Sequence, residues 1–257
     1  VRVGITCYPT YGGSGIVATE LGLELANRGH EVHFITYANP IRLDSGIPRI
    51  HYHEVEVSNY PLFQYPPYSL ALASRMAEVA QCYSLDLLHV HYAIPHSISA
   101  LLARQMLARE GRRLPFITTL HGTDITLVGA DRSYLPITKF SLEESDGVTA
   151  ISDYLRIATE DAFGPSKPIR VIKNFVNCEM YQPDPEGRRG SVLSPKGEKT
   201  LLHLSNFRPV KRVLDCIRIL KEVRKEMPAH LLMVGDGPDC GPAEHFAREL
   251  GVERHVS

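Results

Sequence analysis

Several short stretches hold residue types suited to a phosphorylated ligand. The first is Gly12-Gly13-Ser14-Gly15, which follows an apolar run and opens an amphipathic segment. A strand, a glycine-rich turn and a helix start together make an anion site, because free backbone N–H groups and the positive end of the helix dipole point at whatever sits there. Glycine lets a phosphate come close to the backbone. The second stretch, SNFRPVKR at 205–212, also joins a strand to a helix and brings Arg208, Lys211 and Arg212 together as a cationic cradle for a diphosphate. Cations are disfavoured by the dipole at a helix start, so a bound anion explains them better than a solvated surface does. The third, HGTD at 121–124, closes a strand: His121 can donate to a substrate hydroxyl, and Asp124 can orient it or act in acid–base work, unless Thr123 or Asp124 simply caps a helix.

Two further stretches carry less. His89 and His91 share one face of a strand and could in principle bind a metal. No third ligand is placed for them, so a packed pair is expected, and Tyr92 and His96 just beyond are better placed to touch a ligand. GDGP at 235–238 follows a strand, where turn chemistry alone accounts for it. Other chemistries find no support. There is no G-x-S-x-G, Ser14 has no base beside it in sequence, and no G-K-[ST] follows the glycine turn. The glycine spacing is not G-x-G-x-x-G, and the second strand ends at Thr36-Tyr37 without an acidic residue for a ribose, which argues against a nicotinamide cofactor.

The elements that must position these residues alternate. Strands are expected at 1–7, 31–36, 49–58, 85–92, 115–120, 148–151 and 169–172. Helices are expected after Gly15, with Val17, Leu21 and Leu25 on the inward stripe, and at 69–83, 98–109, 137–144 and 154–162, the last capped by Ser152-Asp153. Alternation of this kind implies an open, doubly wound parallel sheet, whose ligands bind at the carboxyl ends of strands. Residues 12–15, 92–96 and 121–124 should therefore converge on one crevice. From 182 to 199 the composition turns Pro-, Gly- and charge-rich, marking a boundary. A new α/β unit follows, with strands at 201–204 and 231–234 and helices at 213–226 and 242–250. The expected organisation is thus 1–177, a linker and surface loop at 178–199, and 200–257 as the first part of a second domain.

The chain has 257 residues, 44% hydrophobic and 22% charged, with formal net charge −1, which fits a soluble globular protein and not a nucleic-acid binder. No apolar run approaches the roughly 20 residues needed to span a bilayer. The start lacks a signal-peptide layout, and the missing initiator methionine suggests processing or trimming. Five scattered cysteines without a C-x-x-C fit a reducing cytoplasm and give no zinc site.

In order along the chain, the GGSG turn, HVH at a strand end, HGTD, VIKNFVN before the linker, SNFRPVKR and VGDGP resemble the retaining family-4 glycosyltransferases of GT-B fold. That resemblance covers nearly the whole chain and implies two Rossmann-like domains facing a nucleotide-sugar cleft. Within the family, GITCYPTYGGSGIVATELG, RGHEVHFIT, HVHYAIPHS, TTLHGTDITLVG and LSNFRPVKR look most like the branch that begins bacillithiol synthesis. It implies transfer of N-acetylglucosamine from UDP-N-acetylglucosamine to the hydroxyl of L-malate, without an essential metal. Carried over, Gly13, Ser14 and Gly15 would meet the donor diphosphate and the incoming acceptor. His121 would contact the sugar near its 6-hydroxyl, Arg208 and Lys211 would neutralise the leaving UDP, and Gly237 would lie by the nucleotide. Tyr92, Thr123, Arg132 and Asn206 are the candidates for malate.

Two departures stand out. Asn206 occupies a position where an arginine is commoner in the wider family, and the family's E-x7-E element has no counterpart before Ser257. The resemblance therefore implies an incomplete donor site and weak donor binding by this chain. Family-4 enzymes with another acceptor, and a nucleotide-sugar-binding piece without activity, stay open as alternatives, as does homo-oligomer formation. The segment 59–83 has Arg75 as its only base, which speaks against a membrane-acting relative.

Overall fold

The computed structural model of the chain describes residues 1–10, 12–58, 61–126, 128–183 and 197–257. Two compact units divide it, Val1–Phe175 and Val176–Ser257. Most of the stretch expected as linker and surface loop, 184–196, lies outside the described residues.

In the first unit strands and helices alternate: β1 (Arg2–Thr6), α1 (Gly13–Asn27), β2 (Glu31–Thr36), β3 (Ile50–Glu54), α2 (Tyr68–Tyr83), β4 (Leu87–His91) and α3 (Ile98–Ala108). Then follow β5 (Phe116–Leu120), a short α4 (Thr123–Thr126), α5 (Leu135–Glu144), β6 (Gly147–Ala150), α6 (Asp153–Phe163) and β7 (Ile169–Val171). The strands form one parallel sheet in the order β3-β2-β1-β4-β5-β6-β7. Winding reverses between β1 and β4, so the loops leaving their carboxyl ends turn to opposite faces and open a crevice there.

Both faces of the sheet are covered, which is why its strands read as apolar runs. Leu88 and Val90 of β4 pack with Leu72 and Met76 of α2 and Leu107 of α3. Val3, Ile5 and Phe34 form the opposite face with Ala18 and Ala26 of α1. The α6 cap is as expected, with the Ser152 hydroxyl accepting from Leu155 N at 3.2 Å.

Two expectations change. The buried face of α1 is Gly15, Ala18, Thr19, Gly22 and Ala26, while Val17 and Leu21 are half-buried and Leu25 packs only in part. The cause lies on β2: the fully buried ring of Phe34 fills the space over Gly22, where a Cβ would stand 2.3 Å from it. A large residue on the strand thus selects small ones on the helix. The third strand also stops at Glu54, opposite Thr36 where its partner β2 ends, and does not run on to 58.

In the second unit β8 (Lys199–Leu204) and β9 (Ala229–Val234) pair in parallel, and Val256 bridges Leu231. Helices α7 (Val213–Val223) and α8 (Cys240–Glu249) pack Val213, Ile217, Leu220, Ala243 and Ala247 around Phe207 and Leu231. No helix among the described residues is long and apolar enough to cross a membrane.

Gly22→Ala should force the Phe34 ring from its place, at a cost of about 1–3 kcal/mol. Urea unfolding of the variant beside the parent chain measures that difference, and unchanged stability would show that the ring yields freely.

Candidate functional site

The crevice at the reversal of the sheet gathers residues from four separate elements. Ser14, at the start of α1, donates its hydroxyl to Tyr92 Oη at 3.3 Å. The Tyr92 ring stacks on His121, centroids 5.6 Å apart, and Tyr8 from the loop after β1 meets it edge-on at 5.1 Å. Tyr92 has φ +92° and ψ 132°, a conformation that costs a non-glycine residue about 1–3 kcal/mol. Its neighbours hold it there: Tyr92 N–H donates to Thr119 O at 2.9 Å, and Ala93 N–H donates to Asp124 at 3.0 Å.

Asp124 corrects the expectation of acid–base work. Its side chain is almost completely buried, and its two oxygens accept from three backbone amides, Ala93 on one and His121 and Gly122 on the other. Burial pushes its carboxyl up from the usual value while the amides pull it back. A carboxylate so buried and so engaged ties the ends of β4 and β5 together and is closed off from a substrate proton.

Around it lies a set of uncharged imidazoles. His89 bonds Thr119 Oγ1 at 2.7 Å, and His91 Nδ1 lies 2.8 Å from His121 Nε2. The rings of His89 and His91 stack at 4.7 Å, so the pair is packed, as expected. His96 is wholly buried and donates from Nδ1 to the carbonyl oxygen of His91, so it supports the strand end and is not exposed to a ligand. Burial holds His89, His96 and His121 down to about 4, and it also holds His91 well below the usual imidazole value. Among the described residues no group of three potential metal ligands is assembled.

At the start of α1, Gly12 supplies no side-chain cap and no acidic residue occupies the first turn. The anion-binding character of this terminus is therefore unneutralised. Gly13 faces open space, whereas a Cβ on Gly15 would stand 2.4 Å from Tyr8 O and 2.9 Å from Thr10 O. Gly15 is thus explained by the loop crossing over it, and Gly13 is left as the open approach to the backbone.

In the second unit the basic loop is anchored by Phe207, which the sequence did not single out. Its side chain is buried, its N–H donates to Asp236 O at 2.9 Å, and its carbonyl accepts from Asp239 N at 3.0 Å. The GDGP turn is therefore pressed on the basic loop: Gly237 has φ +153°, and a Cβ there would stand 2.4 Å from Phe207 O. Arg208 and Lys211 project outward, exposed and, among the described residues, without an ion pair, while Arg212 beside them is exposed and paired with Asp215 at 2.5 Å. Thr123 and Arg132 are exposed beyond His121, and Asn206 is exposed beside Phe207 in the second unit. Of the acceptor candidates in the first unit, Tyr92 is brought into contact with Ser14 and His121. A sequence signal for the missed anchor, Phe207, did exist: an aromatic between two polar residues of the basic loop.

Comparison with known proteins agrees with this geometry. The sequence profile of Glycosyltransferase Family 4 matches residues 11–180. N-acetyl-alpha-D-glucosaminyl L-malate synthase of Bacillus anthracis is 49% identical over 257 residues, all of this chain and 67% of that protein. A GDP-mannose-dependent phosphatidylinositol monomannoside mannosyltransferase of Mycolicibacterium smegmatis is 29% identical over 72% of this chain and 48% of its own length. Among solved structures, Anabaena Alr3699/HepE in complex with UDP and glucose superposes with a TM-score of 0.72 at 17% identity, covering 99% of this chain and 68% of that one. The chain belongs to glycosyltransferase family 4, its fold is α/β of the GT-B type, and it spans about two thirds of the Bacillus anthracis protein.

The imidazoles make stability pH-dependent. In the unfolded chain each titrates near 6.5, while in the folded protein His89, His96 and His121 stay neutral to about 4. Between these values the unfolded state binds more protons, so stability is complete above about 6.5 and falls as pH drops towards 4, by up to about 1.4 kcal/mol per pH unit for each buried ring. Urea midpoints measured from pH 7.5 to 5 check the slope, and a flat profile contradicts it. Asp124→Asn should cost about 1–3 kcal/mol, because its NH2 group would confront a backbone N–H that now finds an acceptor. The same unfolding measurement at pH 7.5 reads it.

Proposed function

We propose that the protein transfers N-acetylglucosamine from UDP-N-acetylglucosamine to the hydroxyl of L-malate, with retention at the anomeric carbon, in the cytoplasm. One observation carries the reading: 49% identity along the whole chain to a Bacillus anthracis protein named for that product. The UDP-and-glucose complex of a protein of the same fold supports a UDP-sugar donor.

The residues take these roles. Backbone amides of Gly13, Ser14 and Gly15 at the start of α1, with the helix dipole behind them, stabilise phosphate charge and the approaching malate. Ser14 and Tyr92, already bonded to each other, offer hydroxyls to the acceptor, with Thr123, Arg132 and Asn206 as further contacts. His121 touches the sugar. Arg208 and Lys211, both exposed, balance the charge that builds on UDP as the glycosidic bond to phosphate breaks, and Gly237 lies by the nucleotide. Two cations in that position perform the work of a divalent metal, so the reaction is proposed to need none. The malate oxygen joins the anomeric carbon on the face that UDP leaves, and the malate proton passes to the departing phosphate oxygen. No enzymatic nucleophile is required for this sequence of bonds.

The test is UDP release by the purified protein with UDP-N-acetylglucosamine, in the presence and absence of L-malate. Malate-dependent release is expected, reduced about 100-fold or more in Lys211→Ala and in Arg208→Ala. Release that ignores malate but responds to another hydroxylated acceptor would place the protein in a different branch of the family. UDP binding without turnover would reduce it to a binding module.

A further inference from the structure

What His121 can do in the crevice depends on which of its nitrogens carries the proton, and its buried neighbour decides that. His91 Nδ1 and His121 Nε2 are 2.8 Å apart, so between two neutral rings one nitrogen donates and the other accepts. The second nitrogen of His91, Nε2, is sealed from solvent and has no partner among the described residues. If His91 Nδ1 were the acceptor, that sealed Nε2 would carry an N–H with nothing to receive it. A buried orphan N–H is rarer than an under-used acceptor, and leaving a donor unsatisfied costs the whole desolvation of the group.

We infer that His91 is a positioning residue whose Nδ1–H donates to His121 Nε2 and so fixes His121 in the tautomer protonated on Nδ1. His121 Nδ1 has no partner among the described residues and, unlike His91 Nε2, is not sealed from solvent. His96 repeats the same solution. A carbonyl can only accept, so the bond to His91 O requires a proton on His96 Nδ1 and leaves its buried Nε2 as a bare lone pair. That bond also fixes the backbone of His91, whose ring stacks on His89 with centroids 4.7 Å apart and lies edge to edge with His121, centroids 5.0 Å apart. Burial keeps these rings uncharged.

The consequence rests on the proposed glycosyl transfer. His121 presents a donor to the sugar or to the leaving oxygen, and its accepting nitrogen is already used by His91. It is therefore not the base that takes the malate proton.

The test is a long-range proton–nitrogen correlation spectrum of the chain with nitrogen-15-labelled histidine at pH 7, His121 being assigned by comparison with His121→Gln. The expected pattern is a protonated Nδ1 and a bare Nε2. In His91→Leu that single tautomer should be lost, and kcat should fall about tenfold with KM for the donor moved less than about twofold. His91→Asn, whose amide N–H replaces the Nδ1 donor, should restore both. A proton on His121 Nε2 in the parent chain, or an unaltered tautomer in His91→Leu, overturns the inference. The spectrum needs no substrate, so absence of malate-dependent turnover would defeat the functional reading and leave the tautomer decided. If His91→Leu does not fold, the parent and His91→Asn spectra still decide it.

Discussion

A carboxylate buried among three backbone amides is the constraint from which the crevice follows. Asp124 binds the amide of Ala93, just past β4, and those of His121 and Gly122, just past β5. Each amide would otherwise go without a ladder partner, since both strands end there. One side chain closes two strand ends, and in doing so fixes the separation of Tyr92 from His121. The unfavourable backbone angles of Tyr92 persist because its own N–H and that of its successor are both committed. With that geometry held, the ring of Tyr92 lies on His121 and reaches Ser14 across the reversal of the sheet.

Electrostatically, the two units follow opposite rules. His89, His91 and His121 of the first are held neutral chiefly by burial, so they act as oriented dipoles and not as charges. The second unit exposes Arg208 and Lys211 on a loop whose rigidity comes from elsewhere: Phe207 in the core beneath and the glycine turn pressed against its backbone. Asp215, in the first turn of α7, pairs with both Arg212 and Arg218. Neutral donors suit a sugar and an incoming hydroxyl, whereas fixed cations suit a diphosphate that gains charge as it leaves.

Much of the fold was legible in the sequence because parallel strands buried on both faces must be apolar throughout, and the helices between them must carry one apolar stripe. The β4 run, the Ser152 cap and the α2 face of Leu72, Met76 and Val79 follow from such local rules. The face of α1 did not follow, since Val17 and Leu21 looked inward by size alone. Which side of a helix is buried depends on its partner, and Phe34 took the volume that larger helix residues would have filled. Likewise the end of β3 was set by the end of β2, information that 49–58 does not contain.

For the site, the sequence by itself determined which residue types stand at the carboxyl ends of strands: GGSG, HVHY, HGTD and the basic SNFRPVKR loop. Topology then places any such strand-end residue near the reversal of the sheet, so Ser14, Tyr92 and His121 could be expected to converge. Tertiary structure alone decided what each may do. Asp124 and His96 look like functional groups until the amides and carbonyl they serve come within bonding distance. Gly13 and Gly15 are indistinguishable in the sequence, yet one meets open space and the other a crossing loop. The reason is physical: composition fixes which donors, acceptors and charges a chain owns, and only the packed interior settles which of them are already satisfied.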